Sequence, residues 1–459
     1  MKYHIHTIGC QMNVADSVRL ASELELMGGV ETDQLTDADI AVLNTCVVRQ
    51  SVEDRATNWL HRVSHLKQSS NRGIMIGLMG CMVGVKGNPK LVRAFPQVDA
   101  FLSPSDPKPL LNLIADRHGM YDERASVERR HAIQDGELIL PVAQRGGLVS
   151  AHVPVVYGCS HACTFCIIPF RRGVERSRPV SEIVTEIRSL VVQGVQEITL
   201  LGQIVDRYGS DIEGCPDLAQ LLRVVHEIPG LKRIRFLTSH PNYLSDELLR
   251  TVAELPLICE HIEVPVQSGN NRVLQNMRRG YTVEQYRSLI NRIREYMPSG
   301  SIACDVIVGF PGETEAQYQD TCDLLGEMKF DKVHIAKYSP RPGTVSARRM
   351  LDDVPADEKE RRRATLDELQ AEILADKNNS LLGERVEVLV DGFHRGKWRG
   401  RTRTNKLVFF EGEREFTGEL VDVDITRSGP WSLQGCLHNA YADQMPLATT
   451  VSGLSLIHI

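Results

Sequence analysis

Six of the eleven cysteines in this 459-residue chain stand where metal chemistry explains them better than packing does. Three lie on one short loop, in the run Tyr157-Gly158-Cys159-Ser160-His161-Ala162-Cys163-Thr164-Phe165-Cys166, spaced Cys-x3-Cys-x2-Cys. Three thiolates on a tight loop can ligate three irons of a 4Fe-4S cube and leave the fourth iron without a protein ligand. Such an open iron can chelate the amino and carboxylate groups of S-adenosylmethionine, and an electron from the cluster can cleave the sulfonium to a 5′-deoxyadenosyl radical. A zinc site calls for a fourth ligand and Cys-x2-Cys pairs. His161 could supply that ligand, but it sits inside the loop with poor reach.

The other three, Cys10, Cys46 and Cys81, each end an apolar run: His6 to Cys10, Val42 to Cys46 and Gly77 to Cys81. In a parallel sheet the C-terminal ends of the strands share one edge, where ligands bind. Residues about 35 positions apart would then converge. Gly9 and Gly80 beside them permit close approach to a bulky group. The plain alternative is three buried cysteines, a residue type common in cores; the sharper one is a second cube with an open iron. The remaining Cys215, Cys259, Cys304, Cys322 and Cys436 show no ligand spacing and read as core or surface residues. In a reducing compartment none of the eleven is expected in a disulfide.

These residues need strand ends to hold them. Apolar runs at Tyr3 to Gly9, Ala38 to Thr45, Gly73 to Gly80 and Val98 to Ser103 alternate with helical patterns, such as Asp16 to Met27 stopped by Gly28-Gly29. That β-α-β rhythm predicts a flavodoxin-like parallel sheet over residues 1–118. Pro107, Pro109, the charged stretch Asp122 to Arg130 and Gly146-Gly147 predict a linker at 119–144. Over 145–375 six strands are expected, Ala151 to Tyr157, Glu197 to Leu201, Arg233 to Thr238, His261 to Val266, Ile302 to Val308 and Lys332 to Tyr338, with helices between. Six β-α units make a partial (β/α)6 barrel whose active face lies at the strand C-termini. After a charged helix, Ala356 to Leu382, four short strands (Arg385 to Val390, Leu407 to Phe410, Glu419 to Ile425, Trp431 to Gly435) predict a small all-β barrel within 376–441, and 442–459 reads as a tail. The class is α/β with that β domain appended.

A net charge of −6 excludes a protein that coats nucleic acid through a global positive field, so any RNA contact must be local. The longest uncharged apolar stretch, Ile74 to Val85, has 12 residues, too few to span a bilayer. With no leader pattern before Tyr3, a cytoplasmic protein without membrane contact is expected. No Gly-x4-Gly-Lys-Ser/Thr is present, so nothing supports an ATP-driven step.

The triplet at Cys159, Cys163 and Cys166 resembles the signature of the radical S-adenosylmethionine superfamily, in which Phe165 would lie near the cofactor's adenine. Two open cubes are a rarer combination. Together with Gly9-Cys10-Gln11-Met12-Asn13, Asn44-Thr45-Cys46, Gly80-Cys81-Met82, Arg171 to Pro179, Leu200-Leu201-Gly202-Gln203, Val264 to Gly269, Asp305 to Glu313 and Ser339 to Thr344, they make residues 2 to 436 resemble the methylthiotransferase family. Gly-Cys-Gln-Met-Asn is similar to the branch of MiaB type, which acts on N6-isopentenyladenosine next to the tRNA anticodon. Other branches, which act on threonylcarbamoyl-adenosine or a ribosomal-protein aspartate, carry different residues after the first cysteine. Ile204 departs from the pattern, which has Asn there. The resemblance implies two 4Fe-4S clusters and two molecules of S-adenosylmethionine per product, one giving the methyl group and one the radical that takes hydrogen from adenine C2. It also implies a sulfur from or on the second cluster, a flavodoxin- or ferredoxin-type electron donor, and a sulfur or cluster supplier to a monomeric enzyme. Gln203, Gln267 and Asp305 would bind the cofactor at the strand ends, unless they are ordinary strand-end polar residues.

His394 to Lys406 carries six Lys/Arg and no acid: Arg395, Lys397, Arg399, Arg401, Arg403 and Lys406, with Trp398 interleaved. Such a run supplies phosphate contacts, and its aromatic can stack on an unpaired base; it also resembles the TRAM-like RNA-binding domain that ends these enzymes. The bland alternative is a solvated β-hairpin. Arg171, Arg172, Arg176 and Arg178 would extend the RNA track toward the cysteine loop, or pair with nearby acids.

Overall fold

The chain, as a computed structural model, is described over residues 1–47, 50–69, 73–118 and 136–438. Its first strands are β1 (Lys2–Ile8), β2 (Val30–Glu31), β3 (Ile40–Thr45), β4 (Met75–Gly80) and β5 (Ala100–Leu102), all parallel in the order β2-β1-β3-β4-β5. β3 and β4 are buried at every position, as strands covered on both faces must be. Val42 and Met79 face one core with Tyr3, Leu20 and Leu110; Leu43 and Leu78 face the other with Leu60 and Phe95.

Helix α1 spans Gln11–Leu26, five residues earlier at its start than the apolar spacing predicts. Its first turn is polar because it serves a buried hydrogen-bond network. Asn13 Oδ1 accepts from the Cys10 N–H at 3.4 Å, and Asn13 Nδ2 donates to Asn44 Oδ1 at 2.8 Å.

The second sheet system contains β6 (Ser150–Pro154) and a short antiparallel pair, β7 (Val156–Tyr157) and β8 (Arg176–Ser177), that brackets the cysteine loop. Then come β9 (Glu197–Leu201), β10 (Arg233–Leu237), β11 (His261–Glu263), β12 (Ser301–Val308) and β13 (Lys332–Lys337). β6, β9 and β10 form one parallel half and β11, β12 and β13 the other; an isolated bridge, Ile234 to Ile258, links them. This is the expected open six-strand barrel. Outward residues such as Ile198, Phe236, Ile262 and Ile302 pack under the helices, while inward His152, Thr199, Glu263 and His334 line a polar cavity of about 550 Å³.

Of the expected linker, 119–135 lies outside the described residues, as does the tail 442–459. Residues 136–144 correct the rest of that expectation: Leu138 and Leu140 are buried in the barrel core, and the Leu140 N–H donates to Gln193 Oε1 at 2.6 Å.

After the helix Ala356–Asn379 the chain closes a five-stranded barrel from β14 (Arg385–His394), β15 (Lys397–Thr402), β16 (Leu407–Glu411), β17 (Leu420–Ser428) and β18 (Leu433–Leu437). One strand more than expected is present. β15 is the basic run itself: Trp398, Gly400 and Thr402 point inward while Arg399 and Arg401 point out, a period of two masked by the charges.

Candidate active site

Ile8 pairs with Thr45 and Thr45 with Gly80, so three adjacent strands end level and the residues just beyond them share one edge. The Cys46 N–H donates to Ile8 O at 3.0 Å and the Cys81 N–H to Thr45 O at 2.9 Å. Asn13 ties the edge together: its Oδ1 lies 3.3 Å from Cys10 Sγ, and its Nδ2 donates to Thr45 O at 3.3 Å. At Gly80, φ is +101° and an added Cβ would meet Thr45 O at 2.4 Å, so only glycine passes here. The sulfurs of Cys46 and Cys81 hydrogen-bond, and that contact, with the Arg172 guanidinium beside it, holds the Cys81 thiol well below its ordinary range against the effect of burial.

The second triad sits on the loop between β7 and β8. Gly158, at φ +70°, turns the chain into it; a Cβ there would fall 2.1 Å from Val174 O. Thr164 fastens the loop to the far half of the barrel, its N–H donating to Met277 O at 3.1 Å and its hydroxyl to Asn276 O at 2.9 Å. Burial pushes Cys159 up to about 11 and Cys166 up to about 12. For Cys163 burial acts the same way but is outweighed by His161, 3.5 Å away, and by Arg279, whose Nη1 donates at 3.2 Å.

Among the described residues no three Cys, His, Asp or Glu groups converge tightly enough for a single metal ion. Ligands at about 2.3 Å from one zinc would crowd within about 4 Å of each other, whereas a cube needs thiolates spread around a larger body. Each triad brings three sulfurs, a glycine-lined approach and a neighbouring arginine, with no carboxylate among the would-be ligands. The donor chemistry of both sites fits a 4Fe-4S cluster.

The two sites adjoin. Ile167, the residue after Cys166, packs with Val47 and Cys81. Arg172, six residues after Cys166, crosses to the first triad and pairs with Asp16 of α1 at 3.4 Å. Around this seam Glu186, fully buried, takes Arg19 of α1 at 2.8 Å and Arg178 at 2.6 Å.

Of the expected cofactor contacts, Phe165 is half-buried and edge-on to Phe310, with ring centroids 6.4 Å apart. Gln203 lies just beyond β9, and Gln267 bonds through its backbone N–H to Asp305 O at 2.9 Å. Gln267 and Thr238 both hold left-handed backbones, φ +74° and +70°, a strain that collects at functional sites. Burial and then Asp305 push Glu263, which lines the barrel's polar cavity, up to about 7. Sequence reasoning missed Thr238, Glu263, Arg279 and His240. The last is buried and held neutral, at about 2, by burial and Arg279, and its ring lies tilted against that of His161, with centroids 4.5 Å apart. Apart from the Thr-Ser-His-Pro turn at 238–241, no local pattern marks them.

The basic segment divides. Trp398 corrects the stacking expectation: it is buried in the small barrel's core, its Nε1 donating to Gly412 O at 3.1 Å. Arg403 grips Glu260 at 2.8 Å, Lys406 donates to Asn378 Oδ1 at 2.9 Å, and Arg399 pairs with Asp391 at 3.0 Å. Arg401 and Arg403 also offer their carbonyls to Arg233 and Arg235, which docks the small barrel on the N-terminal mouth of the large one. Lys397 reaches Glu411 at 3.3 Å. Phe393, His394 and Arg395 at the hairpin tip are exposed. Arg172 and Arg178 likewise form buried ion pairs and are no part of an RNA track.

Three family models match in chain order: "Uncharacterized protein family UPF0004" over residues 2–103, the "Radical SAM superfamily" over 153–325 and the "TRAM domain" over 379–437. A tRNA-2-methylthio-N(6)-dimethylallyladenosine synthase of Roseiflexus sp. (strain RS-1) is 49% identical over 441 residues, 95% of this chain and 89% of that one. The chain belongs to that synthase family. Its namesake in Herpetosiphon aurantiacus is 45% identical over 95% of this chain and 97% of its own. The fold extends further. The radical S-adenosylmethionine methyltransferase TsrM of Kitasatospora setae, solved with cobalamin and a 4Fe-4S cluster, aligns at TM-score 0.53 and 14% identity, over 87% of this chain and 80% of that one. Family membership gives the cysteine loop its superfamily and the small barrel its TRAM assignment.

Proposed function

We propose that this chain transfers a methylthio group to C2 of N6-isopentenyladenosine next to the anticodon of tRNA, using two 4Fe-4S clusters and two molecules of S-adenosylmethionine. Cys159, Cys163 and Cys166 would hold one cluster and Cys10, Cys46 and Cys81 the other. When bound, the first supplies the electron that splits S-adenosylmethionine and the second the sulfur that becomes methylated and transferred. One observation carries the reading: two three-cysteine sites adjoin at one buried seam, through Ile167 on Cys81 and Arg172 on Asp16.

The chain's own groups do the rest. Arg279 and Arg172 offset thiolate charge at the two sites. Gln203, Gln267 and Asp305 offer hydrogen-bond partners for ribose hydroxyls and an amino group at the barrel mouth. Neutral His240 fills space beside the cysteine loop without adding a further charge to it. Exposed Arg395 and Phe393 are the part of the basic segment best placed to meet RNA. A flavodoxin- or ferredoxin-type reductant and a sulfur or cluster supplier would complete the cycle in the cytoplasm; no described helix is long and apolar enough to cross a membrane.

The test is anaerobic turnover with three substrates: an anticodon stem-loop bearing isopentenyladenosine, the same RNA with plain adenosine, and a ribosomal-protein peptide bearing the aspartate. Mass spectrometry should find the methylthio adduct on the first alone; modification of the peptide instead would move the chain to another branch.

A further inference from the structure

Arg172 belongs by sequence to the barrel, yet its guanidinium ends inside the N-terminal site. Its side chain is 2% exposed, as is that of Asp16 opposite. It reaches the sulfur of Cys81 and lies in the field of Cys10. Its Nε is buried with no hydrogen-bond partner among the described residues, a donor left over on a guanidinium that acts on Cys81 and Cys10. Asp16 is itself committed on the other side, where Ser105 Oγ donates to it at 2.6 Å. A chain Ser105–Asp16–Arg172–Cys81–Cys46 therefore runs across the seam, and the helix that carries Arg172, Ile168–Arg172, starts two residues after Cys166.

Resting on the two-cluster reading above, we infer that Arg172 is a positioning residue of the N-terminal cluster, supplied by the neighbouring domain, which raises that cluster's reduction potential by hydrogen-bonding a ligand sulfur, with Asp16 tempering its charge. Net charge and hydrogen bonds to sulfur are the terms that set such potentials. A guanidinium cannot be discharged at any working pH, so its effect is constant. Asp16 opposes it, and the two substitutions act in opposite directions. Removing the arginine disfavours the more negative, reduced cluster; removing the aspartate favours it. A merely structural ion pair would behave otherwise, since breaking it from either end loosens the same seam.

The experiment uses the full chain with Cys159, Cys163 and Cys166 all replaced by Ala, reconstituted anaerobically, so that any cube is the N-terminal one. Iron content and an EPR-monitored redox titration are read for this parent and for Arg172→Met, Arg172→Lys and Asp16→Asn. Arg172→Met should lower the ratio of reduced to oxidised cluster at a fixed potential about tenfold, equivalent to about 59 mV for one electron. Arg172→Lys should restore part of it, and Asp16→Asn should raise the ratio about tenfold. Unchanged ratios in iron-loaded variants, or shifts of the same sign in Arg172→Met and Asp16→Asn, would overturn the assignment. If Arg172→Met takes up no iron, Asp16→Asn decides alone; loss of iron from both would make the pair structural and overturn it too. A parent that takes up no iron would instead sink the two-cluster reading.

Discussion

At Cys163 the sulfur is flanked by Arg279 and His161, and at Cys46 by Cys81, so one substitution in each triad separates the two chemistries. Cys163→Ala should abolish 5′-deoxyadenosine formation while the N-terminal cluster stays loaded, read by chromatography and iron assay. Cys46→Ala should still cleave the cofactor yet make no methylthio product, read by mass spectrometry of the RNA. Trp398 gives a third prediction. As a core residue, its change to Ala should cost about 3–5 kcal/mol of small-barrel stability in denaturant titration. Phe393→Ala, which loses its edge-on contact with Trp398, should cost no more than about 1.5 kcal/mol of stability and weaken RNA binding by about 1–3 kcal/mol. All six would-be ligands were legible at this scale because spacing and strand-end position are local. Arg172, Arg279 and His240 were not, because each comes to its site from a distant stretch of chain. Trp398 misled because an aromatic among arginines looks the same from sequence whether it faces RNA or a core.

Among the elements, strands were the most legible part. β9 runs over the very residues its pattern marks, and the other barrel strands differ from expectation by a few residues at their ends. The first turn of α1 and the strand β15 were hidden for one physical reason: polar residues there serve buried or outward roles that blur the apolar period. The buried triad Arg19–Glu186–Arg178 that clamps α1 to the barrel shows nothing of itself in either stretch of sequence alone. Burial would raise the Glu186 carboxyl, but the two arginines outweigh it and hold it below its ordinary 4.5. A lowered acid stabilises the fold fully above its unfolded value and loses that contribution as pH falls through the folded one. Glu186→Gln should therefore cost about 3–5 kcal/mol at pH 7, as breaking one side of a buried pair does. The gap to the parent should narrow as pH falls below about 4.5 and close only once the folded carboxyl is protonated, in urea titrations run across pH.

For the molecule as a whole, the order of three units followed from the alternation of patterns, whereas their mutual placement did not. The sequence carries no sign that Arg233 and Arg235 hold the backbone of Arg401 to Arg403, or that the basic run would be spent largely on docking. That placement leaves the N-terminal sheet edge and the cysteine loop on one seam, and the account stands on both holding a cube. The direct measurement is iron and sulfide per chain after anaerobic reconstitution, for the parent and for variants lacking one triad. The account predicts about eight irons in the parent and about four in each triad variant, two cubes' worth and one. About four in the parent, all lost when Cys159, Cys163 and Cys166 are replaced, would contradict it.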